Sequence, residues 1–169
     1  MNLMALENRF PQTAVLVLVF VLLAAVCGEQ AHSATGGEAD LRELSSYQLT
    51  MADVRKYAAA NANLAKHPEA EQEDDAEDAD ENASLDEMAA RIESIPIARK
   101  SVEAAGLSAR QYAVITMALF QASLAQYAVE QGADPGKIAR ETGVNPANIR
   151  FVKEHKAELE QMQKLRSGD

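Results

Sequence analysis

The sequence predicts an all-α fold: a small bundle of about five helices with an acidic disordered loop and an N-terminal signal segment. From Tyr47 onward, apolar residues recur every three to four positions, which is the spacing of one helix face. Capping boxes at Ser84 and Ser108 indicate helix starts. No segment shows the sustained two-residue alternation of a strand, so we expect no sheet.

The N-terminal segment, residues 1–33, has the pattern of a secretory signal peptide. A short polar start containing Arg9 precedes an unbroken apolar run at residues 13–28. This run is shorter than the roughly 20 residues that cross a bilayer comfortably. The sequence therefore predicts an exported bacterial protein, periplasmic or secreted.

Two modes of processing remain possible for the signal segment. The small residues of Ala31-His32-Ser33 fit cleavage before Ala34. Cys27 suggests lipid attachment instead, although Val26 stands where a lipobox has a small residue. Cys27 is otherwise an apolar residue that is discarded with the signal. A membrane location is expected only if Cys27 is lipidated or the segment stays uncleaved as an anchor.

The acidic charge belongs to one segment. The chain has 26 acidic and 16 basic residues, and removing Glu7, Glu29 and Arg9 with the signal leaves 24 and 15. Nine of these acids lie in one run: Glu69, Glu71, Glu73, Asp74, Asp75, Glu77, Asp78, Asp80 and Glu81. The rest of the chain after the signal has 15 acidic and 15 basic residues, so its formal charges balance. Such a run repels itself and stays solvated, so we predict an acidic disordered loop at residues 69–83.

The remaining elements follow in order along a helical domain at residues 47–166. Residues 34–46 have the composition of a flexible linker. Thr50 caps a helix that continues to Pro68, and Ser84 starts the next helix. Pro96 breaks or restarts that helix, and Gly106 ends the following short piece.

The segment 109–131 is predicted to be the central helix. It is apolar nearly all round, which is typical of a helix enclosed by others, and Leu119 and Phe120 are among its expected core residues. Its length resembles that of a membrane span, but Arg110 and Glu130, with several glutamines, argue against one. Two short helices follow, opened by Asp134-Pro135 and Asn145-Pro146, with Gly143 between them.

Residues 138–152 resemble the helix-turn-helix of bacterial repressors. Gly143 would lie at the turn, and Asn148, Arg150 and Lys153 could then face DNA. Residues 137–166 hold seven basic and four acidic residues, a mild bias suited to phosphates. Export and the acidity of the rest oppose this reading, and helical hairpins of every function share the pattern. A DNA-binding regulator using residues 137–152 is an alternative, while the main reading expects no nucleic acid.

A calcium-loop pattern also occurs at the end of the acidic run. Asp78, Asp80, Asn82 and Asp86 occupy ligand positions one, three, five and nine of such a loop. Ala83 replaces the turn glycine, and Ala89 replaces the bidentate glutamate. No strong metal site is therefore predicted, and weak divalent-cation binding by an acidic protein is a further alternative.

No catalytic or cofactor site emerges from the sequence. His155 and Glu158 are helix neighbours, which predicts an exposed salt bridge and no catalytic pair. The chain shows no nucleophile motif, phosphate-binding glycine loop or zinc spacing. We expect a protein that is not an enzyme and that uses no cofactor.

Three stretches, at 47–65, 84–122 and 143–159, together resemble uncharacterised exported helical proteins of bacteria. The resemblance lies in the overall pattern and covers most of the chain after the signal segment. It implies an all-α fold and an exported location, and it assigns no activity and no site residue. The expected role is therefore that of a non-enzymatic interaction or accessory protein in a bacterial envelope, whose partner is a protein or another envelope component.

Overall fold

The computed structural model describes residues 34–67 and 83–167, and every regular element within these ranges is a helix. The helices are α1 (Ala34–Ser46), α2 (Met51–Leu64), α3 (Leu85–Ser94), α4 (Pro96–Ala104), α5 (Ala109–Glu130), α6 (Pro135–Thr142), α7 (Pro146–Glu154) and α8 (Lys156–Ser167). The all-α prediction is confirmed. The signal segment 1–33, with Cys27, and residues 69–82 of the predicted acidic loop lie outside the described residues.

The predicted capping signals start the helices as expected. Thr50 accepts a hydrogen bond from the backbone of Asp53, and Ser84 and Ser108 each form a complete capping box. These side chains satisfy backbone N–H groups that have no partner within the helix. Gly143 ends α6 with a φ of 73°, a left-handed conformation that glycine adopts without steric cost.

Helix α5 is the centre of the bundle. It is 22 residues long and packs most extensively against α3 and α7. Small side chains such as Ala113, Ala118 and Ala122 are fully or almost fully buried on it, which lets neighbouring helices approach closely. By length and composition, α5 is the one described helix that could cross a membrane. In this fold its buried residues contribute to the core of the bundle.

The prediction of a flexible linker at residues 34–46 was wrong, because this segment forms α1. Leu44 of α1 is buried in the core, and the Asp40 carboxylate accepts a hydrogen bond from the backbone of Leu85 at 2.8 Å. Arg110 contacts Asp40, Glu43 and the exposed Asp86. Helix α1 is thus held by contacts with residues far along the chain. Its own sequence, which has Gly36 and Gly37 in the first turn, does not predict a helix.

The described residues contain eight helical segments where about five were expected. Helix α1 accounts for one of them. Another arises because His155 interrupts the C-terminal segment, with a backbone φ of −104° and ψ of 16° that separates α7 from α8. The change of direction places α8 beside both α2 and α7.

Candidate docking surface

The second half of α5 carries an exposed apolar stripe. Among the described residues, four large apolar side chains are exposed, and three of them lie on α5: Phe120 at 52 %, Leu124 at 44 % and Tyr127 at 53 %. Their spacing of four and three residues places them in one line along the helix. We call these three residues the docking stripe. The prediction that Phe120 belongs to the core was wrong, while Leu119 is half-buried.

The docking stripe continues a line that is covered in the first half of α5. Ala109 and Ala113 are buried and Met117 is half-buried at the preceding positions of this line. Helices α3 and α4 both contact α5, and both have one end at its first turn. The second half of α5 packs against the α6–α7 corner through Ala125 and Val129, and its opposite side, which carries the docking stripe, is exposed.

A cleft of about 350 Å³ lies next to the docking stripe, between α2, α5 and α8. Its walls are mainly apolar and include Val54, Tyr57, Leu119, Phe120, Leu159 and Met162. Asn61, Thr116 and Ser123 supply polar groups, and among the side chains that the structure describes no charged one lines the cleft. Ser123 and Leu159 also line a shallower cleft of about 200 Å³, so the two recesses adjoin along α5.

The edge of this surface carries a close ion pair. Lys156 Nζ donates a hydrogen bond to Glu130 Oε1 at 2.8 Å. This bond is the main cause that lowers the pKa of Glu130 and raises the pKa of Lys156. Both groups are therefore charged at neutral pH, and Glu160, which lines the same recess, gives the edge a net negative charge.

The residues of the helix-turn-helix pattern form a packed corner, but Asn148 does not face outward. Val144 and Ile149 are buried with Ala125, and Ile138 and Ala139 pack against them. Asn148 is 1 % exposed, and its amide binds the backbone of Tyr47 and Leu49. It cannot reach a base edge without breaking these bonds. Arg150 and Lys153 are exposed on α7, so the structure separates the three residues of the DNA-binding alternative.

Of the four candidate metal ligands, the structure describes only Asp86. Asp78, Asp80 and Asn82 lie outside the described residues. Asp86 is exposed and contacts the guanidinium of Arg110, so its charge is already paired. Within residues 34–67 and 83–167, no three side chains of the metal-binding types come together.

His155 and Glu158 form the helix pair expected from their spacing. The Nδ1 atom of His155 lies 2.8 Å from a Glu158 carboxylate oxygen, and both side chains are accessible to solvent. The His155 ring also packs on Phe151, with ring centroids 4.7 Å apart. These contacts explain the histidine as part of the α7–α8 junction.

Sequence reasoning missed the docking stripe because α5 is apolar on all sides. A helical pattern shows which residues share a face, and it does not show how far the neighbouring helices extend. No local signal in the sequence marks the side of α5 that its neighbours leave exposed.

No protein-family model, no curated protein and no solved structure matches this chain. The class of the protein therefore follows from its fold and its surface alone. Its described part is a helical bundle around one long central helix, and half of one face of that helix is an exposed apolar stripe beside a mainly apolar cleft.

Proposed function

We propose that this protein is an exported, non-enzymatic interaction protein of a bacterial envelope and that it binds another protein through the docking stripe. The observation that carries the proposal is the exposure of Phe120, Leu124 and Tyr127 in one line. Exposed apolar side chains that are contiguous and bordered by polar residues are typical of protein-binding surfaces. Phenylalanine and tyrosine are also enriched at the centres of such interfaces.

The chemistry of the surface favours binding over catalysis. The cleft beside the stripe is lined by apolar groups and by the neutral side chains of Asn61, Thr116 and Ser123. None of these three provides an acid or base that titrates near neutral pH. An apolar surface with a few neutral hydrogen-bonding groups is suited to holding a complementary surface.

The proposed location rests on the apolar run at 13–28 and on Ala31-His32-Ser33. Fractionation of cells, followed by mass spectrometry and N-terminal sequencing, tests it. We expect the extracytoplasmic fraction to contain a chain that begins near Ala34. A diacylglyceryl group on Cys27 would show the anchored form, and an intact Met1 in the cytoplasm would contradict export.

The proposed binding surface can be tested by photocrosslinking in cells. A photoreactive residue at Leu124 reports on the docking stripe, and one at Ala90, exposed on α3, is the control. We expect a discrete adduct from position 124 that is absent from position 90. The substitution Tyr127→Ser in the same chain should remove the adduct while the circular dichroism spectrum stays unchanged. Equal adducts from both positions would contradict a specific surface.

A further inference from the structure

The cleft between α2, α5 and α8 has the size and the lining of a small-molecule site. We propose that it binds an uncharged, mainly apolar molecule about the size of two fused rings, with a hydroxyl group that hydrogen-bonds to the cleft. This inference goes beyond the proposed function, because it assigns a ligand to the cleft and not a partner to the docking stripe. Of the stripe residues, Phe120 lines the cleft, whereas Leu124 and Tyr127 are not among its lining residues.

The volume of the cleft sets the size of its occupant. It is about 350 Å³, at the lower end of the range for ligand sites in proteins. An apolar cavity of about 150 Å³ holds one benzene ring, so this cleft has room for about two rings. A helix fills roughly 400 Å³ for each turn, so the cleft holds less than one turn of a partner helix. The volume therefore suits a small molecule better than a protein segment.

The α2 side of the cleft is held in place before any ligand binds. Tyr57, which lines the cleft, packs on Tyr112 with ring centroids 5.1 Å apart. The hydroxyl of Tyr112 donates a hydrogen bond to Asn61 Oδ1 at 2.6 Å, and Val54 is 3 % exposed. A ligand therefore meets a wall that is already ordered, which lowers the entropy cost of binding.

The α8 side of the cleft can adjust to a ligand. Leu159 and Met162 line the cleft from α8, and methionine is a flexible side chain that fills irregular gaps. The bond from Lys156 Nζ to Glu130 Oε1 ties the start of α8 to α5. The backbone of this wall is thus anchored at one end, while its side chains can fit more than one ligand shape.

The polar groups of the cleft match a hydroxyl group. Asn61 Oδ1 already accepts a bond from Tyr112, so the Nδ2 group of Asn61 is its remaining donor. Thr116 donates its hydroxyl proton to the carbonyl oxygen of Tyr112 at 2.8 Å, so its oxygen is left as an acceptor. Because Tyr112 bonds to both residues, this donor and this acceptor lie in the same part of the cleft. A ligand hydroxyl can accept from Asn61 and donate to Thr116.

The charges favour an uncharged ligand. The described side chains that line the cleft include no charged group, so a ligand charge placed there would lose its hydration without gaining a counter-charge. The adjoining recess contains Glu130, Lys156 and Glu160, which leaves one more acid than base. An anion is therefore also repelled from that side.

The first test measures the binding of 2-naphthol, two fused rings with one hydroxyl, to the protein purified from its native fraction. The chain has no tryptophan, so fluorescence anisotropy of the naphthol can be read directly. We expect saturable binding at one site. The charged analogues 2-naphthoate and 2-naphthylmethylammonium should bind at least about tenfold more weakly. A wild-type protein that shows no saturable binding, or that prefers either charged analogue, would overturn the proposal.

A second test locates the naphthol in the cleft. Ala58 lines the cleft, whereas its neighbour Ala59 is exposed and is not among the lining residues. Ala58→Phe should fill the cleft and weaken naphthol binding at least about tenfold, while Ala59→Phe should bind as the wild type does. Circular dichroism checks that both are folded. If Ala58→Phe is unfolded, Ser123→Phe fills the cleft from an exposed position on α5 and should have the same effect. Wild-type affinity in a folded cleft-filling variant would overturn the proposal.

The outcomes also separate this inference from the proposed function. Tyr127→Ser should remove the photocrosslinked adduct of the docking stripe and leave the affinity for naphthol unchanged. If Tyr127→Ser weakened naphthol binding and Ala58→Phe did not, the naphthol would be bound to the stripe, and the ligand site would be overturned. Naphthol binding that depends on Ala58, in a protein that gives no Leu124-specific adduct, would support the ligand site and contradict the proposed function.

Discussion

Asn148 and Leu49 are 99 positions apart in the chain, yet Asn148 Oδ1 accepts a hydrogen bond from the backbone N–H of Leu49 at 2.9 Å. The Nδ2 atom of Asn148 donates to the carbonyl oxygen of Tyr47 at the same distance. Asn145 donates a further bond to that carbonyl. The start of α7 therefore holds the segment that leads into α2, and the corner that resembles a DNA-binding motif has a structural role for Asn148.

Asn148→Ala should destabilise the protein by about 1–3 kcal/mol, because it leaves the buried N–H of Leu49 without a partner and weakens the bonding of the partly buried Tyr47 carbonyl. Urea unfolding followed by circular dichroism measures this change. Arg150→Ala is the matched control, since Arg150 is exposed on the same helix, and it should alter the free energy of unfolding by less than about 0.5 kcal/mol. Tight, salt-sensitive duplex binding that Arg150→Ala abolishes would support the DNA-binding alternative instead.

Gly143→Val should destabilise the protein through its backbone. The φ of Gly143 is 73°, and an added Cβ would meet no other atom within 4 Å. The cost, about 1–2 kcal/mol, therefore comes from the left-handed conformation and not from a clash. Gly143→Asn should lose less, because asparagine tolerates this conformation better. Equal thermal unfolding of the two variants would contradict this explanation.

Ile115→Ala and Phe120→Ala should differ sharply although both residues lie on α5. Ile115 is 1 % exposed, so its truncation leaves a cavity in the core and should cost about 2–5 kcal/mol. Phe120 is 52 % exposed, and its truncation should cost less than about 1 kcal/mol in the monomer. Urea unfolding at low protein concentration gives both values. If Phe120→Ala lowered the free energy of unfolding as much as Ile115→Ala, the result would show that the stripe is buried.

The stability of the protein should fall as the pH rises from about 10 to 12. Burial, with a smaller contribution from Asp53, raises the pKa of Tyr47 to about 12. The unfolded tyrosine loses its proton near pH 10, so the folded state holds more protons in this interval and loses stability as the pH rises. In Tyr47→Phe, the free energy of unfolding should therefore fall less over this interval, by up to about 2 kcal/mol. Tyr127→Phe, at an exposed position, is the control, and identical pH profiles for the two variants would contradict the assignment.

The sequence by itself determined the helical class and most helix starts. The boxes at Ser84 and Ser108 and the turn at Gly143 act through atoms a few residues away, so a local pattern is enough to predict them. The packing of Val144 and Ile149 at the corner could also be predicted, because the spacing of apolar residues shows which ones share a face.

Only the tertiary structure decided the features that depend on distant residues. Helix α1 forms where a linker was expected, because Arg110 and Leu85 provide partners for its carboxylates. Asn148 is buried because its amide meets the backbone before α2. Phe120 is 52 % exposed, although α5 is apolar on every side, because the helices packed on α5 leave this line of side chains open. Periodicity shows which side chains share a face, but the lengths and directions of neighbouring helices determine whether that face meets protein or solvent.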